Sequence, residues 1–453
     1  MTGAIEPPAA AESLPRHRDV WRIAAPLILS NVSVPLLGMV DTGVTGHLES
    51  AAYLGAVALG ATIFGFLYTG VNFLRMGTTG ITAQRYGAND AAGVRTSLGQ
   101  ALIVAEAIAL LLLLLQRPIG DLALHLLGAS AEVTRHADTY FRIRIVSAPA
   151  TLASYALIGW FIGVQNVRVP LVMVLVTNLT NILLDFVLVI GMGMKVDGVA
   201  AATVAAEYAG VAAALPFVRA ELARRGGAWD RSRLVAWRAY GGFLAVNGNL
   251  FVRTLALMFT FGFVTAQGAR QGSLVLAANA ILMNLQYLLS FALDGFAHAA
   301  EALVGKAVGA GSTQALRRAV RLTLAWSLYV ASAFSLLFLL GGPFIAGLLT
   351  DLPVVLDTTL RYLPWIVASP LVSVWPFLYD GVFVGATRAR EMRDIMLAST
   401  LLVFLPAWYL LRGLGNDGLW LAFLLFMAGR GIGMHWHYRR RVLGDAAGVA
   451  DAR

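Results

Sequence analysis

Apolar residues run along this chain in long unbroken stretches, separated at near-regular intervals by short polar segments rich in arginine, glycine and aspartate. A helix needs roughly 20 apolar residues to cross the hydrocarbon of a bilayer. Twelve stretches reach or approach that length: residues 20–40, 52–74, 97–115, 137–161, 169–191, 197–218, 239–264, 273–297, 319–340, 357–383, 394–411 and 418–438. The run from Leu322 to Leu340 carries no charge. The runs are continuous rather than alternating, so helices are predicted and barrel strands are not. Trp21, Trp237, Trp408 and Tyr438 fall near span ends, where amphipathic rings anchor at the membrane interface.

Composition agrees. Of 453 residues, 58% are hydrophobic and 13% charged, against about 25% charged in a soluble chain. So few charges cannot cover a soluble fold of this length. A soluble enzyme and a disordered chain are excluded. The chain has no cysteine, so thiolate chemistry, iron–sulfur clusters and cysteine zinc sites are excluded too. The polar start, residues 1–19, lacks the short apolar core of a secretory signal peptide, and none is expected.

The net charge is +9. In a soluble protein that excess would point to nucleic acid; here its placement points elsewhere. With the N-terminus set in the cytoplasm, 23 of the 34 Lys and Arg residues fall in inside segments, 6 in outside loops and 5 within spans. This positive-inside bias predicts an even helix count, with both termini cytoplasmic. No nucleic-acid partner is expected.

A shift of 222 residues superimposes several features. Gly87-Ala88 falls on Gly309-Ala310, Arg95 on Arg317, Ser147 on Ser369, and Gly159, Phe161 and Gly163 on Gly381, Phe383 and Gly385. A shift of 220 places Asp197-Gly198 on Asp417-Gly418. The repeat unit holds six helices, so its two copies keep the same orientation and are related by an axis along the membrane normal. The expected fold is an all-α polytopic membrane protein with twelve transmembrane helices in two six-helix lobes. Its parts are an N-lobe, 1–218, a cytoplasmic linker, 219–238, and a C-lobe, 239–453, with a short basic tail. Two lobes meeting at a cleft is the form of a secondary transporter.

A carboxylate in the bilayer costs at least about 2.5–3.5 kcal/mol on insertion scales, so it faces a cavity or a partner. The candidates are Asp41, Glu106, Asp185, Glu207, Asp294, Glu301 and Asp380. Asp41 ends the first span, after Pro26 and Pro35, which permit bending. Asn178, Asn181 and Asp185 are spaced three then four apart and share one helical face. That stripe reads either as a cavity lining or as interhelical hydrogen-bond glue. Thr203, early in the next helix, offers a hydroxyl at the same depth. Two carboxylates with amide and hydroxyl oxygens suit a shared proton or a hard monovalent cation. In the second half, Arg253, Asp294 and Asp380 read either as a structural ion pair, Arg253 with Asp294 or Asp380, or as a second coupling site. Arg142 and Arg144 read as snorkelling toward the outer face.

No P-loop, no HExxH motif and no nucleophile–base constellation is present, so the chain is not read as an enzyme or an ATPase and needs no cofactor. Pumping would then use an ion gradient.

Four segments carry a family resemblance: PLLGMVDTGVTGHLESAAYLGAVALGATIFGFLYTGVNFLRMGTTGITAQRYGAND, GWFIGVQNVRVPLVMVLVTNLTNILLDFVLVIGMGMKVDGVAAATVAAEYAG, NLFVRTLALMFTF and FLYDGVFVGATRAREMR. They resemble multidrug and toxic compound extrusion (MATE) transporters of the DinF-like branch, over nearly the whole chain. The resemblance implies a multi-pass protein of the inner membrane that exports amphiphilic or cationic organic compounds in exchange for H+ or Na+. It implies a cation site of Asp41, Asn181, Asp185 and Thr203, and a bend at Pro26 that answers to ion occupancy. Small organic molecules and the lipid bilayer are the expected partners, and a monomer the expected state. The sequence departs from the NorM-like branch, in which the seventh helix carries a coupling glutamate: Arg253 stands at the polar position here. A lipid-linked precursor flippase of the same superfamily would need a strongly cationic cavity, for which only Arg75 and Arg253 are candidates. A passive channel is the alternative of another class.

Overall fold

The computed structural model describes residues 14–46 and 50–444. Among them are twelve long helices and no strand: α1 (His17–Gly46), α2 (Ala52–Gly87), α3 (Ala91–Leu114), α4 (Ala131–Gly163), α5 (Arg168–Gly191), α6 (Val196–Arg225), α7 (Trp237–Arg270), α8 (Ser273–Gly309), α9 (Thr313–Leu349), α10 (Pro353–Gly385), α11 (Ala389–Leu414) and α12 (Asn416–Val442). By length and composition, α2 to α12 are each long and apolar enough to cross a membrane. The shortest of these eleven has 24 residues, or about 36 Å at 1.5 Å per residue, which exceeds the hydrocarbon thickness. α1 is a thirty-residue helix that continues through Pro26.

Several helices outrun their apolar cores. α8 continues to Gly309, and α9 spans Thr313–Leu349. α6 continues to Arg225, so the first seven residues of the expected linker are helical. Its last turns have reasons to stay wound. Leu222 packs against the cluster around Trp160. Glu221 is buried and accepts hydrogen bonds from Asn166, Arg224 and Arg225.

The packing separates the lobes at one end and joins them at the other. One apolar cluster draws on residues 56–200 plus Phe243; another draws only on residues 256–427. A third mixes the halves, setting Val20, Ile23, Leu27, Met76 and Ile162 against Leu250, Phe296, Val304, Leu316, Phe383 and Met434. This shared cluster lies toward the end of the bundle that holds the basic linker, called the basic end below.

Glycines make that closure tight. A side chain at Gly87 would run into the Lys306 carbonyl oxygen, and one at Gly309 into that of Gln84. Deeper in each half, Gly159 abuts the Arg75 carbonyl and Gly381 that of Ala297. Each contact recurs 222 positions later. So do other details. Asn89 and Gly311 are left-handed at φ 55° and 67°, as are Gln165 and Thr387 at 63° and 53°. The buried hydroxyl pair Ser147–Thr151 is repeated as Ser369–Ser373. The pseudo-two-fold therefore extends to individual backbone contacts.

Candidate functional site

Three polar groups meet where α5 packs on α6. Asn181 and Asp185 are fully buried and Thr203 is 7% exposed. The Asn181 amide Nδ2 donates to the Thr203 hydroxyl at 3.2 Å, and that hydroxyl donates to the Val199 carbonyl at 3.0 Å. Thr203 is thereby held with its oxygen facing α5. Asp185 lies one turn beyond Asn181 on the same face. Immediately after it the helix widens into a π-helical stretch, Phe186–Gly191, a distortion frequent at functional sites. Asn178 turns to α1 instead. Its Nδ2 donates to the Ser33 hydroxyl at 3.1 Å and the Ser33 carbonyl at 3.3 Å. This joins the polar stripe to the helix that carries Asp41. Asp41 itself lies on α1, but its side chain falls outside the described residues, as does that of Pro35.

The second lobe holds a different arrangement. Arg253 on α7 and Arg430 on α12 both donate to Oδ2 of Asp380 on α10, the latter at 2.9 Å. Arg253 is 7% exposed and Arg430 2%. Of the two partners considered for Arg253, the structure selects Asp380. Arg430 is the member that sequence reasoning passed over. Its signal was present: a guanidinium inside a span, on a helix with no carboxylate near it in sequence, demands a partner elsewhere.

A third polar group bridges the lobes. Arg75 on α2 reaches Glu301 on α8 at 3.2 Å; His298 lies 3.4 Å from Arg75 and 3.3 Å from Glu301. Toward the basic end, Gln84 donates to the Gly385 carbonyl at 2.9 Å and the Thr387 hydroxyl at 3.0 Å. Asp294 makes no hydrogen bond or ion pair among the described residues.

The remaining in-span charges sort themselves. Arg142 is exposed and pairs with Asp138 at 2.9 Å. Arg144 does not snorkel outward. Its guanidinium lies 5.1 Å from the Phe64 ring centroid, within electrostatic reach of Glu207. At the basic end a crevice of about 770 Å³ opens between the lobes, lined by Arg22, Pro26, Arg168, Arg224 and Lys306 among others. Among the described residues no group of three or more His, Asp or Glu is arranged to hold a metal ion.

Comparison with known proteins gives consistent matches. The family model described as MatE matches residues 26–187 and again 250–409, once in each half. The chain is 45% identical to "DNA damage-inducible protein F" of Escherichia coli, over 93% of this chain and 92% of that one. It is 25% identical to "Probable multidrug resistance protein NorM" of Pseudomonas putida, over 92% and 90%. Its fold matches a solved structure titled "Outward-facing conformation of a multidrug resistance MATE family transporter of the MOP superfamily" with a TM-score of 0.84, at 18% identity, covering 95% of this chain and 96% of that one.

Proposed function

Because this chain belongs to the MATE family, on its DinF-like branch, we propose that it is a secondary active antiporter that exports amphiphilic, cationic organic compounds in exchange for H+ or Na+. Membership in the family makes it a multi-pass membrane efflux transporter of multidrug and toxic compounds. The coupling ion is assigned to Asp41, Asn181, Asp185 and Thr203. The observation that carries the assignment is the fully buried Asp185 beside the Asn181–Thr203 hydrogen bond. A buried carboxylate with an amide and a hydroxyl on one face is a site for a proton or a hard cation.

The lobes are assigned to 1–218 and 239–453, joined by the 219–238 segment, with the basic end in the cytoplasm of an inner membrane. On that reading the end closed by the Gly87 and Gly309 contacts is the cytoplasmic one, which makes the conformer outward-facing. Ion and substrate need not touch. Each need only favour a different arrangement of the first lobe, and the α1–α5 bond from Asn178 to Ser33 is the route by which ion occupancy reaches α1, where Pro26 permits bending. The transporter acts as a monomer, with no cofactor beyond the coupling ion. A flippase with a cationic cavity is disfavoured, because Arg75, Arg253 and Arg430 each have a carboxylate partner.

The test is reconstituted efflux driven by a pure pH step or a pure Na+ step, comparing the parent with Asp41→Asn and Asp185→Asn. The expected result is that one step drives export in the parent and neither drives it in the variants. Export that follows the gradient equally in all three overturns the assignment.

A further inference from the structure

One face of α8 descends between the lobes. Tyr287, Ser290, Phe291, Asp294, His298 and Glu301 succeed one another at three- and four-residue spacing. Exposure falls along this stripe. Tyr287 is 47% exposed, the next four are half-buried, and Glu301 is 2% exposed. The positions 222 earlier on α2 run from exposed Gly65 and Thr69, with Tyr68 buried beside them, through half-buried Asn72 to buried Met76 and Thr79. On both helices exposure falls toward the basic end, where the Arg75–Glu301 pair joins the two lobes.

Asp294 lies seven residues before Glu301 on α8, about two turns from that pair. It is within electrostatic reach of Arg75, His298, Glu301 and Asp380. Direct pairing divides these acids. Asp380 holds Arg253 and Arg430, and Glu301 holds Arg75 and His298. Asp294 is the one acid of the three that no described residue pairs. An unpaired carboxylate at membrane depth is costly unless water or a ligand meets it. Aromatic rings on these helices suit a particular ligand. Phe261 stacks on Tyr287 with centroids 6.2 Å apart. Phe73 of α2 meets Phe251 of α7 edge-on at 5.6 Å, across the lobes. Aromatic faces above a carboxylate stabilise a lipophilic cation through both its charge and its apolar body.

We propose that Asp294 is the anchor for the positive charge of the transported organic cation, with Tyr287 and Phe291 against its apolar part. This rests on the efflux reading above and adds the residue that selects for charge. It is independent of the first-lobe ion site.

The test uses the full chain in nanodiscs without any gradient. The probes are tetraphenylphosphonium, a permanent cation, and triphenylphosphine oxide, a neutral relative, both titrated calorimetrically. Asp294→Asn is expected to raise the Kd for the cation by at least about tenfold and to leave the neutral compound unchanged, whereas Asp294→Glu stays within about threefold of the parent. An unchanged Kd for the cation in Asp294→Asn overturns the proposal. So does equal weakening of both probes, and so does a parent that does not bind the cation. A parent that binds the cation at Asp294 but moves none of it in liposomes refutes the efflux reading and leaves the anchor standing.

Discussion

Each lobe keeps an aspartate within a span, fully buried Asp185 in the first and half-buried Asp380 in the second, but in opposite company. Asp185 in the first lobe shares its helix face with an amide, itself bonded to the hydroxyl of Thr203. Asp380 in the second lobe takes two arginines on a single oxygen. Amide and hydroxyl oxygens adjust to a proton or a small cation that comes and goes. A guanidinium is a permanent cation tied to the chain, so it occupies the carboxylate without leaving. The first arrangement suits exchange and the second suits support. The two lobes are near copies in backbone, and buried side chains set them apart.

The largest predicted effect follows from that contrast. Asp380→Leu strands two buried guanidiniums and is expected to destabilise the protein by about 3–5 kcal/mol, read as a lowered unfolding midpoint in detergent. The triple change Asp380→Leu, Arg253→Leu, Arg430→Met is expected to recover most of that loss, because an apolar replacement of a whole buried ion cluster is often neutral. If the triple variant is worse than the single, the cluster is not primarily structural. Asp185→Asn should do the reverse: the midpoint holds, while gradient-driven efflux in liposomes drops by at least about tenfold.

A third change addresses the shared end. Replacing Gly87 and Gly309 by valine drives side chains into the facing carbonyls. The expected outcome is a looser basic end. The chain has no native cysteine, so a single cysteine at Ala386 reports on it, with faster maleimide labelling from that side. Equal labelling in parent and variant contradicts the glycine seal. The smallest effect is expected at Thr203. Thr203→Val removes an acceptor worth about 1 kcal/mol, which should weaken the apparent affinity for the coupling ion about fivefold, with Thr203→Ser restoring it.

Much of this is legible in the sequence. The Asn178, Asn181 and Asp185 stripe was visible because helical spacing alone puts those positions on one face. The repeat was visible because backbone contacts that admit no side chain require glycine at both copies, Gly87 with Gly309 and Gly159 with Gly381. Arg253 announced a partner by its cost, yet Asp294 and Asp380 met that demand equally well on paper. Arg430 as the second donor, the inward turn of Arg144 and the bridge from Arg75 to Glu301 all depend on which helices adjoin. No local pattern encodes that.

Hydrophobic length was enough to settle the helices, since a bilayer punishes any other use of such stretches, and the 222-residue repeat was enough to settle the two-lobe plan. Which acids are clamped, and which one is left facing the cleft, was settled by packing between distant spans. A charge in low dielectric is governed by its nearest neighbours in space, and for Asp294, Glu301 and Asp380 those neighbours include residues far away along the chain.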